Sequence, residues 1–107
     1  MSYDAAKFTG TESRLFVITP KDKTGKKTSE LRVVSWNYKT PVIEKRGYWR
    51  KTEADSWLWG KSEGWGTAEI EAVNKAWAKV APLLELTDPN RIKEVEEARK
   101  AKIASKK

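Results

Sequence analysis

Between Trp36 and Trp65 the chain carries five of its six Trp residues, Trp36, Trp49, Trp57, Trp59 and Trp65, interleaved with Lys39, Lys45, Arg46, Arg50, Lys51 and Lys61. Indole faces set among cations can stack on flat rings and pair with anions. A splayed single strand of nucleic acid presents both partners: its bases stack on the rings and its phosphates pair with Lys and Arg. The competing reading is a Trp-rich core with a solvated charged rim. A chain of 107 residues buries only about two or three indoles fully, because each is large and its N–H wants an acceptor. Some of the five are therefore expected on the surface, beside positive charge.

Other chemistries are poorly supplied. The chain has no His and no Cys, so the commonest general base, thiolate nucleophiles, disulfides and Cys-based zinc sites are missing together. Glu44, Glu53, Asp55 and Glu63 form no recognisable acid/base pair, and the expectation is a binding protein with no cofactor and no metal, not an enzyme. A formal net charge of +7 favours a polyanionic partner. No apolar run is long enough for a membrane span, and the first residues lack the apolar stretch of a signal peptide. The expected location is the cytoplasm or nucleoid, or the nucleus in a eukaryote.

The elements that must position these residues follow from the pattern. Residues 1–12 are small, polar and unpatterned, and read as a flexible arm. Arg14 to Thr19 is short, apolar and partly β-branched, a first strand stopped by Pro20. Lys21 to Lys27 is a basic turn centred on Gly25. In a second strand from Glu30 to Trp36, alternation puts Leu31, Val33 and Ser35 on one face and Arg32, Val34 and Trp36 on the other. Pro41 opens a third strand, Val42 to Arg50, with Glu44, Arg46 and Tyr48 on one face and Lys45, Gly47 and Trp49 on the other. Ser56 to Lys61 reads as a short fourth strand with Trp57 and Trp59 sharing a face. Thr67 is placed to cap a helix whose stripe is Ile70, Val73, Trp77, Val80 and Leu84, with Pro82 expected to bend or break its end. Trp77 is read as core or interface. Arg91 to Lys107 reads as a weaker, basic second helix with a fraying end.

This order predicts an α+β fold: a four-stranded antiparallel sheet, one amphipathic helix on one face, and a basic helical tail. The expected division is an arm over 1–12, a binding domain over 13–86 and a tail over 87–107. So small a core favours a homodimer, with the helix stripe serving both the sheet and a partner helix.

Three stretches resemble one family. Val42-Ile43-Glu44-Lys45-Arg46-Gly47-Tyr48-Trp49 looks like the third-strand signature of the positive-cofactor-four family of transcriptional coactivators. Glu30 to Asn37 is similar to the second strand of its shorter bacterial members, and Gly60-Lys61 with Gly64 resembles the basic loop before the family helix. The resemblance covers roughly residues 14–84. It implies a curved sheet, a homodimer paired through the helix, and binding of single-stranded DNA with little sequence preference, in transcription or in replication and repair. RNA binding on the same scaffold and a Trp-rich protein-interaction module are the alternatives. By the resemblance Trp36 and Trp49 stack on bases, and Lys39, Arg46 and Lys61 meet phosphates. Lys45 and Arg32 complete the candidate surface. Lys45 stands where the family has an apolar residue. Arg46 and Trp49 have opposite strand parity, so both serve one face only if Gly47 introduces a bulge or the strand curls.

Overall fold

A computed structural model describes residues 11–105. Residues 1–10 of the expected arm and the last two lysines of the expected frayed end lie outside the described residues. The chain runs β1 (Glu12–Thr19), β2 (Lys27–Trp36), β3 (Val42–Trp49), β4 (Leu58–Glu63), α1 (Thr67–Leu84) and α2 (Pro89–Ser105). The fold is α+β, and all neighbouring strands pair antiparallel in the order β1-β2-β3-β4. Such a meander is what short β-branched runs joined by turns of a few residues produce. The β2–β3 turn places Asn37 and Tyr38 at φ 55° and 58°. Two successive positive φ angles match the twist of a hairpin. The Ser35 hydroxyl donates to the Lys39 carbonyl at 2.6 Å and ties the turn to its strand.

Both helices pack on the face that carries Leu31, Val33 and Ser35. The core joins Leu15 of β1, Val33 of β2, Val80 of α1 and Ile92 of α2, with Phe16, Ile43 and Val95 packed around it. Full burial of such side chains contributes about 1.5–3 kcal/mol each. Ile92 makes α2 a layer of the fold, not a tail: one β-branched residue, wholly buried, outweighs the charges of the surrounding sequence.

Gly66, not Thr67, is the N-cap of α1. The Glu69 carboxylate accepts the Gly66 N–H at 2.6 Å, a role Thr67 cannot share once it has joined the helix. Pro82 sits inside the helix, which continues to Leu84, because a proline this near the C-terminus removes one bond of a turn already ending. Of the expected stripe, Val73 and Val80 are buried, whereas Ile70 and Trp77 are about half exposed, Trp77 at 50%. Trp77 is therefore not a core residue of the single chain.

Candidate nucleic-acid interface

The face of the sheet away from the helices holds the even-numbered residues of β2 and β3. At its centre Arg32 is fully buried. It donates to Glu44 Oε1 at 2.8 and 3.3 Å and to the Tyr48 hydroxyl at 3.0 Å, and it pairs with Glu12 across β1. Burial alone would lower its pKa, but Glu12, Glu44 and Tyr48 together raise it above the usual arginine value. Burial pushes the Tyr48 phenol up as well, with Glu30 and Glu12 adding to it against Arg32. Both groups thus keep one charge state throughout the neutral range.

Glu44 is shared. Its two oxygens also accept from Arg46 Nε at 3.0 Å and Nη2 at 2.8 Å, a two-point pair. The third edge of the Arg46 guanidinium donates to the Gly60 carbonyl at 3.1 Å. That plane lies 4.3 Å from the Trp59 ring centre and 5.7 Å from that of Trp36. The two indoles are 5.7 Å apart and tilted by 56°. Trp36, Arg46 and Trp59 thus form one cationic aromatic cluster, anchored through Glu44 to Arg32.

A two-glycine contact allows Trp59 to reach it. Arg46 is opposite Ser62, but Tyr48 is opposite Trp59, so β4 carries one extra residue at Gly60–Lys61. A side chain at Gly60 would begin 2.8 Å from the Gly47 carbonyl, which is closer than any Cβ contact permits. The irregularity falls on β4. Pairing of β3 with β2 stays regular from Val42 to Trp49, and Arg46 and Trp49 remain on opposite faces.

The candidate residues therefore divide. Trp36, Arg46 and Arg32 come together. Lys39 is exposed in the β2–β3 turn beyond Trp36, and Lys61 is exposed at the β4 bulge beside Trp59; Lys61 belongs to the strand, not to the loop before the helix. Lys45 lies on the helix side and pairs with Glu69 at 3.4 Å and Glu63 at 4.0 Å. Its position on the apolar parity is tolerated because those carboxylates of α1 and β4 meet it there. Trp49 is exposed at the strand end, opposite Lys27 and Leu58.

Trp57 and Trp59 do not share a strand face, since β4 begins at Leu58. Trp57 instead covers Arg50, whose guanidinium is 3.8 Å from its ring centre. Arg50 donates to the carbonyls of Gly25 at 2.7 Å, Lys23 at 3.2 Å and Asp55 at 3.2 Å. It ties the basic β1–β2 loop to the β3–β4 loop. Glu53 supports the same joint by accepting the Gly25 N–H at 2.6 Å, and Gly25 has φ +89°, a conformation that favours glycine. The exposed Lys23, Lys26, Lys27 and Lys51 are thereby gathered at one end of the sheet. The joint of Arg50 with Trp57 left no separate mark in the sequence, because its acceptors are backbone atoms.

Among the described residues no helix is long and apolar enough to cross a membrane, and no group of three or more His, Cys, Asp or Glu is placed to hold a metal ion. Comparison with protein-family models, with curated proteins and with solved structures finds no match for this chain.

Proposed function

We propose that this chain binds single-stranded DNA with little sequence preference, as a dimer, in transcription or in DNA replication and repair. The observation that carries the reading is the cluster of Trp36, Arg46 and Trp59 on the helix-free face, with the exposed Lys39 and Lys61 at its rim. Bases stack on the indoles, and exposed lysines meet the phosphates. Arg46 and Arg32 spend their donors on Glu44 and its neighbours, so their part is to hold the indoles in place. Trp49, beside Lys27 and the lysine-rich loop, extends the stacking surface around the sheet end. The function rests on binding, with no catalytic residues, and the expected setting remains the cytoplasm or nucleoid. The curved sheet of the resembling family would serve the same purpose.

The dimer reading rests on α1. Ile70 and Trp77 are seven positions apart on one helix face, and both are half exposed. Sedimentation across a concentration series tests it: Trp77→Ala should shift the chain to monomer while leaving its fold intact, and a wild-type mass that stays monomeric overturns the dimer.

Titration of Trp fluorescence with an oligo-dT strand, beside its duplex and a matched RNA strand, tests the main reading. Quenching should saturate with the single strand and be weaker with the duplex. The logarithm of affinity should fall linearly with the logarithm of salt, by about 0.7 per phosphate neutralised. Equal or tighter RNA binding transfers the reading to RNA. A flat salt response transfers it to Trp-driven protein recognition.

A further inference from the structure

On the side of the sheet away from Trp36 and Trp59, a groove runs over β1 beside α1 and continues between α1 and α2. Its two lobes, of about 390 and 560 Å³, share Phe16 and Lys79. The floor is apolar: Phe16, Ile18, Ala76, Val95 and Ala98. The rim is cationic, with Lys75 and Lys79 on α1 and Arg99 on α2, and among the described residues no carboxylate lines it. We infer that this groove is a docking site for a short acidic segment of a partner protein, seating apolar side chains on Phe16 and its neighbours and carboxylates on Lys75, Lys79 and Arg99.

Charge complementarity selects this occupant. Elsewhere the fold answers a buried or partly buried cation with acids or with backbone carbonyls: Arg32 has Glu12 and Glu44, Lys45 has Glu63 and Glu69, and Arg50 has three carbonyls. Among the described residues Arg99 has no acid at ion-pair distance. Burial lowers its pKa, the like charge of Arg14 lowers it further, and only the more weakly acting Glu30 opposes them. A carboxylate placed at the rim relieves that stress. The lobes hold a few side chains, not a folded surface, and they open along their length, as an extended or helical segment with spaced anchors requires. A nucleic-acid strand fits less well, because the floor offers one aromatic ring and no polar groups for bases. The proposed dimer does not compete, since Ile70 and Trp77 lie on the other flank of α1 from Ala72, Lys75 and Lys79.

The test uses a short fluorescein-labelled peptide of Asp and Glu with spaced Leu and Phe anchors, and a control with the anchors changed to Ala. Anisotropy should show saturable binding to the full chain. The anchor-free peptide should bind about fivefold more weakly or worse, and K75E/K79E should weaken the anchored peptide at least about tenfold. Both lysines are exposed, so the double variant should keep the wild-type melting curve, and it should still bind oligo-dT. Amide shifts on peptide addition should cluster on Phe16, Ile18, Ala76 and Ala98. The inference is overturned by absence of saturable binding, by equal affinity for the anchor-free peptide, by undiminished affinity in K75E/K79E, or by shifts centred on Trp36 and Lys61. Failure of oligo-dT binding alone would overturn the nucleic-acid reading and leave the groove standing.

Discussion

Arg46 and Arg50 make a controlled comparison within one strand and its exit. Both are buried, at 5% and 8% exposure, and both lay a guanidinium over an indole, Arg46 on Trp59 and Arg50 on Trp57. Their acceptors separate them. Arg46 pairs with a carboxylate on its own strand and reaches one carbonyl of β4. Among the described residues Arg50 meets no carboxylate but three carbonyls, drawn from two loops. The first arrangement fixes a cationic aromatic cluster on a sheet face. The second fastens loops and uses its indole as a cover. An Arg–Trp pair is thus not a ligand site in itself; what satisfies the guanidinium decides which it is.

Removing each arginine should separate the two roles. Arg46→Ala strips the largely buried Glu44 of its two-point partner and leaves it Arg32 alone, and should cost about 3–4 kcal/mol, read by urea unfolding. Arg50→Ala leaves backbone carbonyls that water can reach near the loop surface, and should cost less, about 2–3 kcal/mol. Its effect should also be local, with faster hydrogen exchange in residues 21–26 and 51–57 and little change in β2. If Arg50→Ala proves the costlier change, or loosens the whole sheet, the division between cluster and fastener fails.

The same pair shows what the sequence can and cannot reveal. Alternation in β2 groups Leu31, Val33 and Ser35 on one face because side chains of a strand repeat every second residue, but which face the helices cover comes only with the fold. The stripe of α1 identifies Val73 and Val80 by the same logic, but it also collects Ile70 and Trp77, since periodicity marks apolar positions and not which of them a single chain covers. β4 is displaced from its expected position because a bulge between two glycines has no hydrophobic signal. The docking of α2 is nearly silent, as Ile92 stands among charged residues. Of the candidate site, Trp36 and Arg46 are named through the resemblance, and it is the β2–β3 register that puts them on one face. Trp59 is not legible, because its face depends on the bulge. Nor is the neutralisation of Arg32 and Arg46 by Glu44, which lies on the same strand face but reads in the sequence as one more charge.

The indoles sharpen the comparison at the level of binding. Trp59→Ala should weaken oligo-dT binding by about 1–3 kcal/mol in an anisotropy titration, the contribution of a stacking ring. Trp57→Ala should leave affinity within about 0.5 kcal/mol, since its ring is spent on Arg50, and it should instead lower the urea midpoint. Equal losses of affinity would make the Arg50 joint part of the binding surface.

The smallest expected effect comes from the more accessible counterpart of the buried pair. Lys45 precedes Arg46 and points to the helix side, where it meets Glu69. Glu69 has its pKa lowered, first by the Gly66 N–H, which desolvation opposes, and further by Lys45. A carboxylate whose folded pKa lies below its unfolded one stabilises the fold fully at pH values above the unfolded pKa. That contribution is lost as pH falls through the lowered folded pKa, when the native state takes up its proton too. Glu69→Gln keeps an oxygen for the Gly66 N–H but gives up the charge at the helix N-terminus and toward Lys45. Melting temperatures of the two chains should therefore differ most near pH 7, converge as pH falls below about 4.3, the ordinary glutamate value, and be nearly equal in stronger acid. Added salt should shrink the gap at pH 7, because a pair that solvent still reaches is partly screened. A difference unchanged by both pH and salt would mean that Glu69 acts through the hydrogen bond alone, and the contrast with the buried Glu44 would rest on geometry and not on charge.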